Sequence, residues 1–143
     1  MEPLDLSVHP PRRPHDRLDG LLMVPRTIDK MRAFLPGGNP GAYKIEGFST
    51  RLCDIIGVDP EELQAVVAKA STDEDVAGWL RQHADVSKYK AANDYFLNRS
   101  VEDILPENRE RFNRNYPHHR EAPSKKMIDI VAHDDEVSFG TAR

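Results

Sequence analysis

At 143 residues, 38% of them hydrophobic and 31% charged, the chain has the size and make-up of one globular domain rather than several enzymatic modules. Twenty Lys and Arg against twenty-four Asp and Glu leave a net charge of −4, the opposite of the balance a general nucleic-acid binder carries. No apolar run approaches the roughly 20 residues that cross a bilayer. The lone Cys53 has no internal disulfide partner and no apolar leader follows Met1, so the expected compartment is a reducing cytoplasm.

Seven of the eleven prolines precede residue 41, and three lie between Val8 and Asp16, which predicts an extended Pro-rich arm rather than helix or central strand. Within it Leu4, Leu6 and Val8 alternate and can lay one edge on a core. The short apolar run Leu21-Leu22-Met23-Val24 ends at Pro25, which suits the first turn of a helix because its missing N–H has no partner there anyway. That helix is predicted over about 25–35, with Ile28, Met31 and Leu35 as its apolar stripe and Pro36-Gly37-Gly38 as its stop. A Gly/Pro/Asn loop follows over 36–41.

Phe48, Leu52, Ile55 and Ile56 recur at helical spacing, and Gly57 ends their helix. Asp59-Pro60-Glu61-Glu62 reads as a cap, a first-turn proline and carboxylates where the helix dipole favours them. Leu63, Val66, Val67 and Ala70 form the buried face of the helix it opens. Ser71-Thr72-Asp73-Glu74-Asp75 opens the next in the same way. Its inward face holds Val76, Trp79, Leu80, His83 and Ala84, with Trp79 the largest expected core residue. Ser87 caps a helix to about Asn98, with Tyr89, Ala92 and Phe96 on one face and Asn93 beside them. Alternation with period two is scarce, so the expected fold is all-α, a compact bundle of about five to six short helices.

Composition changes after residue 106, giving an expected helical domain over 1–106 and an extension over 107–143. Residues 107–126 carry six basic and three acidic side chains without an aliphatic stripe. Beyond them come Ile128, Ile130 and Val131, an acidic turn at Asp134-Asp135-Glu136, then Val137 and Phe139. This irregular tail is read as a small hairpin or as a segment covering a neighbouring subunit of a homo-oligomer.

The segment 25–33 holds the most chemistry. Arg26, Asp29 and Lys30 fall at i, i+3 and i+4, on a face other than the apolar one. They form either a solvated ion-paired surface or the wall of a cleft. In a cleft Asp29 orients Arg26 or Lys30, and the cations hold an anionic substrate or stabilise developing negative charge.

Leu4-Asp5-Leu6, Pro11-Arg12-Arg13-Pro14, Leu18-Asp19-Gly20 and above all Pro25-Arg26-Thr27-Ile28-Asp29-Lys30-Met31-Arg32-Ala33 resemble a bacterial family known as a domain of unknown function, DUF5069. The resemblance continues through Gly41-Ala42-Tyr43, Ile56-Gly57-Val58-Asp59 and Thr72 to Leu80, covering roughly residues 4–98. It implies a compact helical domain and no particular chemistry. Where the family pattern has Trp-Asn, this chain has Ala92-Asn93. The space beside Ala92 is either filled by Tyr89 or Phe96, or puts Tyr89 and Asn93 within reach of a ligand as substrate-binding residues.

The six histidines show neither His-x-x-x-His spacing nor a Cys-x-x-Cys partner, so no metal and no cofactor are expected. His83 is either a core-edge histidine or a general base in a partly apolar pocket. Tyr43, after the glycine-rich loop, is either an aromatic lid or a phenol that donates to a substrate oxygen. Cys53 lies off the apolar stripe with no acid-base partner, and the 36–41 loop lacks a phosphate-loop signature.

Two functions compete. One is a cofactor-independent lyase- or isomerase-type enzyme abstracting a proton from an oxygenated or anionic small molecule. Arg26 and Lys30 would then hold the oxyanion, Asp29 would orient them, and Tyr43 or His83 would exchange the proton. The other is a non-catalytic ligand- or partner-binding module using the helical domain and the basic tail. RNA is a minority partner because the chain is acidic overall.

Overall fold

The computed structural model describes residues 1–140. Contacts divide the chain into two units, Met1–Asn93 and Asp94–Arg143.

In the first unit the chain folds back at Asp19 (φ 55) and Gly20 (φ 79). Two consecutive residues at positive φ are what a two-residue hairpin turn needs. Strand β1 (Arg17–Leu18) therefore pairs antiparallel with β2 (Leu21–Leu22), Arg17 opposite Leu22 and Leu18 opposite Leu21. Asn93 locks the hairpin. Its Oδ1 accepts the Leu22 N–H at 2.9 Å and its Nδ2 donates to the Gly20 carbonyl at 2.8 Å. This small sheet was outside the all-α expectation, because two-residue strands leave no alternation to read.

Helix α1 (Val24–Ala33) leaves the hairpin through Met23, a non-glycine residue at φ 72, with Pro25 in its first turn. Left-handed backbone at such a residue costs about 1–3 kcal/mol and persists only where packing enforces it. Met23 is buried, and so is every residue from Leu21 to Met31. Helix α2 (Phe48–Ile56) ends at Gly57 (φ 75). The Asp59 carboxylate caps α3 (Pro60–Lys69) by accepting the Glu61 N–H at 3.0 Å. Thr72 and Asp75 form the reciprocal cap of α4 (Asp73–His83). Helix α3 packs against α1, α2 and α4, and α1 also packs on β1.

The arm docks by backbone as much as by side chain. The Leu4 N–H donates to the Arg32 carbonyl and the Leu6 N–H to Asn39, whose own N–H returns to Leu4. Leu6 is fully buried while Val8 is exposed. The Asp5 carboxylate accepts the Ser7 N–H at 2.9 Å and turns the chain there, so the alternation stops at Leu6. Trp79, expected to be the largest core residue, is only half-buried. His83, expected on the inward face of α4, is exposed and stacks on the Trp79 ring at 4.4 Å. An indole and an imidazole one turn apart satisfy each other at the core edge, and Val76, Ala77 and Leu80 fill the interior instead.

Helix α5 (Tyr89–Asn98) carries the boundary between the units. In the second unit Phe96 is the largest of the fully buried side chains. A bridge between Ser100 and Lys126 draws the segment after α5 against the start of α7. Helix α6 (Arg109–Asn115) buries Phe112 against Tyr116 and His119. The expected irregular tail or hairpin is instead helix α7 (Met127–Phe139), with Met127, Ile128, Ile130, Val131, Ala132 and Asp135 buried. Met127, Ile130 and Val131 stand at i, i+3 and i+4, a helical pattern too short to separate from a strand by periodicity. Asp134-Asp135-Glu136 continues that helix rather than forming a turn. Among the described residues there are thus seven α-helices rather than five or six. None is long and apolar enough to cross a membrane.

Candidate functional site

Helix α1 is buried on its polar side as well as its apolar one. Arg26 is 3% exposed, Asp29 5% and Lys30 8%, beside the fully buried Thr27. Taking one such ion out of water costs several kcal/mol before its partners compensate, so a helix chosen for stability alone would carry apolar groups at these positions. Thr27 is satisfied across the α1–α2 packing by a 2.9 Å hydroxyl–hydroxyl hydrogen bond to Ser49, also buried.

Asp29 is held by the N-terminal arm. Its Oδ2 accepts the Arg12 backbone N–H at 2.7 Å, and its two oxygens accept from Arg12 Nε and Nη2 at 3.0–3.2 Å. The other side of the same guanidinium meets Asp73, the first residue of α4, with Nη1 at 2.6 Å and Nη2 at 3.1 Å. Arg12 is thereby clamped between carboxylates from two helices. The hydrogen bonds that Arg12 donates to Asp73, reinforced by those it donates to Asp29, raise the Arg12 pKa. Arg12 in turn holds the Asp73 carboxyl below the usual carboxylate range. Arg32 completes the cluster, 4.0 Å from Asp29 and donating to the Glu2 carbonyl at 2.7 Å.

Arg26 joins this cluster through the backbone, its Nη1 donating to the Arg12 carbonyl at 3.2 Å. Its guanidinium carbon lies 5.5 Å from the centre of the Tyr43 ring, and Lys30 Nζ lies 6.0 Å from the same ring. Both separations are within cation–π range. The loop after α1 delivers Tyr43 there because of its glycines. At Gly38 a Cβ would stand 2.4 Å from the Ala33 carbonyl oxygen, and at Gly41, with φ +57, 2.9 Å from that of Leu6. The loop thus lies tight on α1 and the arm, and the Tyr43 N–H closes a turn onto Pro40 at 3.0 Å.

Four of the sequence-predicted residues, Arg26, Asp29, Lys30 and Tyr43, therefore come together, with Arg12 between Asp29 and Arg26. His83 stands at the far end of α4 from Asp73, ten residues or about 15 Å along a helix. Asn93 is occupied with the hairpin. Tyr89 is half-buried, and burial together with the charge of Asp19 raises its phenol pKa. Arg12 and Asp73 had no part in the sequence-level site. Their pairing spans 61 positions, and only contacts within a helix turn leave a spacing to read. Among the described residues no three His, Cys, Asp or Glu side chains gather as a metal would require. Burial pushes the Cys53 thiol up to about 11.

The charges of the arrangement are complementary to a group that is negative and accepts hydrogen bonds. A guanidinium and an ammonium share one wall, and a phenol-bearing ring stands against both. A family model described as a domain of unknown function, DUF5069, matches residues 8–136. The match takes in the arm from Val8, α1 and most of α7, so residues 107–136 are part of the family's domain rather than an addition to it. No curated protein matches the chain.

Proposed function

Starting from the fact that the chain belongs to the DUF5069 family, we propose that the polar face of α1 recognises the oxyanion of a small molecule, and that the chain performs proton-transfer chemistry on it without a cofactor. Arg26 and Lys30 take the oxyanion, the Asp29–Arg12 pair fixes Arg26, and Tyr43 exchanges the proton. The observation that carries this reading is the placement of two buried cations against one tyrosine ring on a helix whose apolar side already supplies its packing. Charge developing on a substrate oxygen is stabilised most by donors fixed in advance in a shielded place. Lyase and isomerase steps that remove a proton beside a carbonyl or carboxylate develop that kind of charge.

The test is C–H exchange. Small hydroxy and oxo acids are incubated with the protein in D2O and followed by proton NMR. The proposal expects deuterium to enter the carbon beside the carboxylate or carbonyl of at least one of them. Tyr43→Phe should lose that exchange and still bind, whereas Arg26→Gln should lose both. Binding without exchange in the wild type would reduce the chain to a ligand-binding module. If no acid of the panel binds, the proposal fails.

A further inference from the structure

Arg12 enters the oxyanion scheme only as the partner of Asp29, yet its side chain reaches a second carboxylate, Asp73. Nε, Nη1 and Nη2 all donate to Asp29 or Asp73, so the guanidinium is held by two carboxylates of the protein. Its backbone is committed as well. The N–H goes to Asp29 Oδ2 and the carbonyl receives Arg26 Nη1, so the peptide groups flanking Arg12 stand between the acid and the cation of α1. Arg12 enters from the arm, Asp29 from α1 and Asp73 from the first turn of α4, and all three belong to the unit Met1–Asn93.

We infer that Arg12 and Asp73 are positioning residues. Asp73 pins the outer face of the Arg12 guanidinium, Asp29 pins its inner face and backbone N–H, and the Arg12 carbonyl then aims Arg26. The start of α4 thus sets the orientation of a cation on α1. This predicts a sign that simple electrostatics reverses. Neutralising Asp73 removes a negative charge from the neighbourhood of Arg26, which by through-space interaction alone would tighten anion binding. A positioning role makes the same change weaken it, because Arg26 loses its aim.

The affinity half of the test rests on the oxyanion reading, and the other half does not. The first readout is the set of 15N-edited side-chain signals of Arg26 in the full chain, assigned by their loss in Arg26→Lys. The second is inorganic phosphate affinity by calorimetry. In Asp73→Asn, Arg26 should lose its restrained, slowly exchanging signals, and phosphate should bind about threefold or more weakly. Arg12→Lys, which keeps the backbone and a cation but cannot bridge two carboxylates, should do the same. Glu74→Gln removes a charge from the same helix turn without touching Arg12 and should leave the Arg26 signals in place. Unchanged Arg26 signals in Asp73→Asn, or tighter phosphate binding, would overturn the inference. Should phosphate fail to bind the wild type, the oxyanion reading falls by itself, and the Arg26 signals still decide for or against the relay.

Discussion

Arg26, Asp29 and Lys30 are three ionisable side chains on one turn of a helix that the fold could have filled with leucine and alanine. The network accounts for Asp29 through two N–H groups and a backbone amide of Arg12, with Arg32 at its edge. Replacing Asp29 by Asn removes one of the two charges that Arg12 faces, and with Asp29 buried but the Arg12 side chain about a third exposed the loss is about 1.5–3 kcal/mol. Asp29→Asn should therefore lower the urea midpoint markedly, and a midpoint shift of a few tenths of a molar or less would contradict the burial argument. Cys53 is the opposite kind of residue. Fully buried and with its thiol pushed up to about 11, it should react with a thiol reagent at pH 7.5 only as fast as the protein unfolds. Prompt labelling of the folded protein would count against its placement. The charge pattern within residues 26–30 was legible because it repeats at helical spacing. Arg12 was not, since nothing in Pro-Arg-Arg-Pro marks which arginine turns inward.

At the scale of elements, helices α1 to α5 were legible from stripes and stop signals. Gly57 ends α2, Asp59 caps α3 and the Thr72–Asp75 pair caps α4. Thr72→Ala removes the acceptor of the Asp75 N–H and should cost about 1 kcal/mol, read by thermal denaturation. The hairpin was missed because two residues per strand carry no period, although the Asp19-Gly20 pair is its signal. The hairpin is held from a distance by Asn93, a residue singled out in the sequence as a possible ligand contact and found serving as a clamp. Asn93→Ala leaves the Leu22 N–H and the Gly20 carbonyl without their side-chain partner, at about 1–3 kcal/mol. Because Met23 at φ 72 follows β2, loosening the hairpin should also loosen the entry to α1. Amide exchange at residues 20–27 should rise in that variant, and protection equal to wild type there would refute the clamp.

Across the whole molecule, α7 shows why the end of the chain was misread. Its apolar residues form a run followed by an acidic triplet, which at single-sequence level is the signature of a strand and a turn. Only burial of one side from Met127 to Asp135 reveals the helix. Stability should also depend on acidity. Arg12 depresses the folded-state pKa of Asp73, so its contribution is fully present above the unfolded-state value of about 3.9 and is lost as pH falls through the folded value. With Asp73 a third exposed, that contribution is about 1 kcal/mol or less. The stability difference between wild type and Asp73→Asn should be constant from pH 7 to 5 and shrink below pH 4. A difference that survives unchanged at pH 3 would mean that the ion pair is not its source.

The central claim, that α1 turns a cationic face toward a small oxyanion, is tested most directly by titrating inorganic phosphate into the full chain in a calorimeter, beside Arg26→Gln and Lys30→Gln. Saturable one-site binding to the wild type is expected, weakened tenfold or more in each variant while the thermal transition stays cooperative. Absence of binding, or equal affinity in all three proteins, would contradict it.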